Sequence, residues 1–236
     1  MNIFALSKCP HESARQMLDK HIVKMPTETC QMLHTNIVYM QFVNAHGKEP
    51  TQRELKAFHK SSKSKLMKPS MLNHPSTIWA RQSFDNFMWL FEHGLALCEE
   101  HKIRYPKEDK KGNIIEHGSY HRILQCNSHT DLVIDFEFNE DSLTPVSIAM
   151  DDRYRLDRDE FFNTARVQYG IEYDEWDFVI ESYRHYYLEG KWDIAEWRNN
   201  RRPDWFPANH FAKKYNVGVR AYNSRNPRYP KQLMEE

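Results

Sequence analysis

The stretch from Leu18 to Met40 constrains the fold most, because it carries two separate stripes at helical spacing. Leu18, Ile22, Met25, Met32 or Leu33, Ile37 and Met40 recur every three or four residues, as one buried helix face requires. His21, Lys24, Glu28, Gln31 and Thr35 form a second, polar stripe, which puts an imidazole, an ammonium and a carboxylate in line on one face. Pro26 lies inside the pattern and removes a backbone donor, so a kink or a helix restart is expected just before Glu28. A solvated face with a weak Lys24–Glu28 pair explains the same spacing.

The rest of the chain reads as mostly α. Seven glycines in 236 residues and few alternating stretches argue against a sheet, while six Trp, thirteen Phe and twelve Tyr supply apolar area for a large core. Ile3 to Leu6 form an apolar entry that packs on the body. A first helix starts at Ser7 or Pro10, and Gly47 closes the second helical stretch. Thr51 caps a short helix through Phe58, followed by a basic loop carrying Lys63, Lys65 and Lys68. Asn73-His74-Pro75-Ser76 starts a helix expected to run to about Lys102, apolar on most of its circumference and therefore central, with Arg81 emerging near its start. Residues 103–147 break the pattern and read as a hairpin or irregular excursion. Helices follow at Arg158–Tyr169 and Asp174–Leu188, the latter capped by Gly190, with a short one at Ile194–Arg198. The expected architecture is one helical domain over residues 1–236, built around the long buried aromatic-rich helix. An insertion at about 103–147 and a basic aromatic tail at 207–236 complete it.

Four isolated cysteines without a CxxC pair suit a reduced compartment, and thirteen histidines without HExxH or paired Cys/His spacing suggest no metal and no cofactor. No apolar run reaches membrane-spanning length and no leader is evident, so a cytoplasmic location is expected, the host's if the chain is phage-encoded. Zero net charge conceals a segregation. Residues 1–111 hold 17 Lys and Arg against 11 Asp and Glu, residues 112–181 hold 5 against 16, and residues 182–236 hold 11 against 6. Two basic ends flanking an acidic middle suit a protein that meets phosphates with part of its surface, although charge clustering alone produces the same counts.

Three blocks carry a resemblance. Asp19-Lys20-His21 is followed by Glu28 seven residues after the His, Asn73-His74 precedes the aromatic-rich helix, and Arg202-Pro203-Asp204-Trp205-Phe206 lies near the end. Their types and order resemble the bacteriophage pyrimidine-dimer DNA glycosylases, the endonuclease V-like family. They also resemble related phage glycosylase-like proteins with an Asp-Lys-His-Val-Val-Lys-Met signature. The resemblance spans roughly half of the chain in blocks and leaves out residues 103–147. It implies DNA as partner, Glu28 as the acidic catalyst and His21 orienting a phosphate or the substrate. It also implies contacts to DNA from His74, Arg184, Lys191, Arg202, Trp205 and Phe206, and Arg81 near the helix start and Arg201 beside Arg202 are further candidates for such contacts. Lys213 and Lys214, in the tail, suit the phosphate backbone. The family's nucleophile is an exposed N-terminal amine. Asn2 is too large for ordinary removal of the initiator, so here that amine belongs to Met1. Thr27 and Gln31 stand where the family carries arginines.

Cleaving a glycosidic bond develops oxocarbenium character at C1′, which a nearby carboxylate stabilises. An amine attacking C1′ leaves a Schiff base and permits strand cleavage by elimination. Because α-amino groups ordinarily titrate near ~8 and lysines near ~10, Met1 is better poised than Lys24. Three functions fit: a DNA glycosylase, with or without lyase activity, on a damaged or modified pyrimidine; a phage-type transferase modifying an activated pyrimidine; and a catalytically idle DNA-binding protein. In each, Glu28, His74 and Trp205 are expected to share one groove, with the acidic middle at its edge or on the far side.

Overall fold

The computed structural model describes residues 1–170 and 172–207; Lys213 and Lys214 therefore lie outside the described residues. Among those described there is no β-strand, and the chain is mostly helical. The short α1 (Pro10–Gln16) begins with a proline at its first position, where the missing donor costs nothing. After an extended step at Met17 and Leu18, α2 (Asp19–His46) runs for 28 residues. It passes through Pro26 without the expected restart. Apolar burial of Ile22, Met25, Met32, Leu33, Ile37 and Met40 holds it together, so loss of one internal donor does not end it. Gly47 ends the helix in the left-handed conformation, at φ 65°.

Thr51 and Glu54 close a reciprocal capping box on α3 (Gln52–Ser61). The long helix expected from His74 is two helices. The short α4 (Pro75–Trp79) ends at Ala80, and Ser83 starts α5 (Phe84–Arg104) by accepting the Asn86 N–H. Helix α5 is the central element, packed on both α1 and α2, and its buried residues include Phe87, Trp89, Leu90, Leu97 and Cys98. It crosses α2 closely because Gly94 carries no Cβ: one placed there would lie 2.8 Å from Thr29 Cγ2 and 3.0 Å from Ile123 Cδ1.

The expected excursion at 103–147 contains a turn closed by an isolated antiparallel bridge between Glu108 and Ile114. It then forms α6 (Tyr120–Leu124), a 3₁₀ turn at Gln125–His129 and α7 (Thr130–Ile134), which no hairpin reading anticipated. Helix α8 (Arg158–Tyr169) is capped by Asp157, and α9 (Glu175–Gly190) by Asp174. Gly190 sits inside the last turn of α9 rather than as its left-handed cap, and the helix expected at 194–198 is a 3₁₀ turn at Trp192–Ile194.

One buried ionic knot ties residues 15–19 to α5 and to residues 196–198. The Arg104 side chain is fully buried. It donates to Arg15 O and Met17 O, each at 2.7 Å, to Asp19 Oδ1 at 3.1 Å and to Glu100 Oε2 at 3.0 Å. Asp19 also accepts the Arg198 backbone N–H, and its own N–H donates to Glu196 O at 2.8 Å. The segment after α9 is thereby held against the start of α2, with Trp197 Nε1 on Gln16 O and Trp205 Nε1 on Gln16 Oε1.

Candidate functional site

The chain's first nitrogen lies on the polar stripe of α2. Asn2 anchors the entry: its side-chain oxygen accepts from Ile3 N–H and the Tyr183 hydroxyl, and its amide donates to Ala149 O at 2.6 Å. The Met1 side chain is buried, its sulfur accepting from the Thr77 hydroxyl of α4. Fixed at both points, the Met1 ammonium lies 3.7 Å from Glu28 Oε2, while Lys24 Nζ lies 2.7 Å from Glu28 Oε1. Two cations therefore address the two oxygens of one carboxylate, one from the chain terminus and one from an exposed side chain.

His74 completes the cluster from the start of α4. Its Nδ1 accepts the Ser76 N–H at 3.2 Å, which places the ring proton of the neutral form on Nε2. Burial, and then the positive Met1 terminus, hold this imidazole below its usual range, opposed by Glu28. A neutral ring beside an ammonium and a carboxylate can donate one hydrogen bond from Nε2 without adding charge.

Two connections press on this corner of α2. Thr27 Oγ1 meets Ser119 Oγ at 3.3 Å, and Gln31 Nε2 donates to Lys68 O at 2.5 Å. The segment carrying Ser119 belongs to the acidic middle, expected on the far side or at an edge; it docks on α2 at Thr27, the residue before Glu28. Tertiary contact places it there, with Glu116 also paired to Lys102 of α5. Residues 68–74 run alongside α2, where Ser70 and Thr35 exchange hydrogen bonds in both directions.

Several expected contact residues face inward instead. His21 is buried, stacked on Phe4 with ring centroids 4.1 Å apart and hydrogen-bonded through Nδ1 to the Tyr187 hydroxyl at 2.6 Å. Burial, with Lys191 and Lys24 adding to it, lowers its pKa to about 3, so it holds no charge for a phosphate at neutral pH. Trp205 and Phe206 are buried too: the Trp205 indole spends its N–H on Gln16, and Phe206 packs between Trp192 and Trp197. Neither offers a free face to a base in this arrangement. Arg81 donates to Leu72 O and lies over the Tyr39 ring, and Arg184 binds Glu181 and Leu6 O beneath Trp205. Lys191 covers Tyr186, Arg201 lies 3.7 Å from Glu100, and Arg202 is exposed. The positioning roles of Asn2, Tyr183 and Thr77 had no local signal, since each depends on a partner more than 70 residues away.

Among the described residues no group of three or more His, Cys, Asp or Glu is placed to hold a metal, and no helix is long and apolar enough to cross a membrane. Residues 1–112 match the family model described as pyrimidine dimer DNA glycosylase. The resemblance carried by Asp19 to Glu28 and by Asn73-His74 thus holds over that stretch, which includes Met1, Lys24 and Arg81; Arg202 to Phe206 lie beyond it. No curated protein and no solved structure matches the chain.

Proposed function

We propose that this chain is a DNA glycosylase acting on a damaged or modified pyrimidine, with Glu28 and the Met1 amine as its catalytic pair. The observation that carries the reading is the 3.7 Å approach of the Met1 nitrogen to Glu28, inside the stretch that matches the glycosylase family model. Once deprotonated, the terminal nitrogen attacks C1′ of the target nucleotide. The C1′–N bond to the base breaks as the new C–N bond forms, and the electron pair leaves with the base, which takes up a proton. Glu28, beside the attacking nitrogen, accepts its proton and opposes the positive charge that spreads over C1′ and the ring oxygen. Opening of the sugar then gives a Schiff base, from which β-elimination cuts the strand. Lys24 steadies Glu28 from the solvent side, and His74 is within the field of both groups and suited to a hydrogen bond with the substrate. The target base must leave the stack to reach these atoms.

A second reading, transfer of a group onto an activated pyrimidine, is favoured by one observation. Thr27 and Gln31, at the positions where the family carries arginines, are engaged with Ser119 and Lys68 O. Mass spectrometry of base-modified DNA, and of ultraviolet-treated DNA after photoreversal of its dimers, separates the two: a released base supports the glycosylase, and an altered nucleoside the transferase. Glu28→Gln should reduce base release by at least about 10²-fold while DNA affinity changes little. Borohydride should trap a covalent complex that disappears when the Met1 amine is chemically blocked. A folded Glu28→Gln protein with normal turnover would exclude the assignment.

A further inference from the structure

We infer that α3 and the strap that follows it form a phosphate-binding edge that leads one DNA strand to Glu28; this rests on the DNA-directed reading above. Lys56, Lys60, Lys63, Lys65 and Lys68 are all exposed. Residues 52–74 contain a single acid, Glu54, which is already occupied by the Thr51 cap and by Lys48. Four of the lysines, Lys56, Lys60, Lys63 and Lys68, line one hollow of about 570 Å³ together with His59 and Ser64. No carboxylate lines it. Like charges gathered around a hollow repel one another, and a chain of phosphates relieves that repulsion with release of counterions.

The strap is fixed in place. His59 Nε2 donates to Leu66 O at 2.9 Å, Met67 N–H to His34 Nδ1 at 2.9 Å, and Gln52 binds both Pro69 O and Leu72 N–H. Lys56 and Lys60 sit one turn apart on α3, about 6 Å along its axis, a separation commensurate with phosphates that rise about 3.4 Å each along one strand. The edge also joins the site. Lys68 O is held by Gln31, three residues and about 4.5 Å of helix beyond Glu28. A strand lying across the lysines therefore arrives at the corner where Met1, Glu28 and His74 meet. Polymeric phosphate suits an open, elongated row of cations better than a single small anion does.

The test is the salt dependence of duplex binding by the full chain, read by fluorescence anisotropy, for the parent and for the triple variant K56Q/K60Q/K63Q. All three lysines are exposed, and circular dichroism verifies that the variant folds. The log–log slope of affinity against salt should flatten by two to three units, about 0.9 per lost contact. An unchanged slope overturns the edge, and so does inorganic phosphate displacing the duplex far better than chloride at equal ionic strength. The two readings fail separately. Lysine-dependent binding without base release removes the glycosylase and leaves the edge, whereas normal base release with an unchanged slope does the reverse.

Discussion

Arg104→Met probes the knot that frames the site. The substitution keeps most of the volume and deletes five N–H donors from a fully buried position. It strands Asp19 and Glu100 without their shared cation and leaves Arg15 O and Met17 O each short of a 2.7 Å hydrogen bond. Removing one partner of a buried ion pair ordinarily costs about 3–5 kcal/mol, and each orphaned carbonyl about 1–3, with overlap because all four acceptors share one guanidinium. About 4 kcal/mol of destabilisation is expected, a large part of the roughly 5–15 kcal/mol typical of a native protein. Urea unfolding followed by circular dichroism reads it directly: at a slope near ~3 kcal/mol/M the midpoint falls by more than ~1 M. Arg104→Lys should fall between the two, because an ammonium keeps the charge but cannot reach four acceptors from a planar fork. Tryptophan emission should report the loss locally, since Trp197 and Trp205 are held on Gln16 beside the knot. A midpoint shift below ~0.3 M in Arg104→Met would show that Asp19 and Glu100 find other partners or water, and would refute the account.

Gly94→Ala should destabilise by about 1 kcal/mol despite alanine's better helix propensity, because its methyl meets Thr29 Cγ2 at 2.8 Å next to Glu28; Gly118→Ala, with open space around it, is the control in the same urea assay. Stability should also fall with acid. His21 and His93 are buried with pKa values lowered to about 3 and about 4, so between about pH 6.5 and those values the unfolded chain binds protons that the folded one refuses. Each then removes up to about 1.4 kcal/mol per pH unit, roughly 2 kcal/mol between pH 7 and pH 5, and a flat profile of urea midpoints over that range would contradict it.

What the sequence disclosed was whatever repeats or sits at a fixed local spacing. Helix α2 announces itself by its stripe, Gly47 by its conformation and α3 by the Thr51 and Glu54 box, since each is decided within a few residues. The Lys24–Glu28 pair was legible for the same reason, since the two residues are four apart on one helix face. The five-residue helices α6 and α7 have too few turns for a period and exist because Ile123 and Val133 find the core. His21 was misread because its partner, the Tyr187 hydroxyl, lies 166 residues away, and a polar stripe does not say which of its members is covered. Trp205 and Phe206 were misread for a related reason. Aromatics beside arginines look alike whether they stack on a base or on Tyr187, Trp192 and Trp197.

The placement of the first nitrogen has a consequence for how the protein is handled. A formyl or acetyl group, or any fused residue, would turn the first nitrogen into an amide, which has neither the charge that faces Glu28 nor a lone pair free to attack carbon. With the Met1 side chain packed against Thr77 and the entry pinned by Asn2, the first nitrogen is held at Glu28. Purification handles belong on the carboxyl end, and a preparation tagged at the amino end would look like a well-folded but silent enzyme.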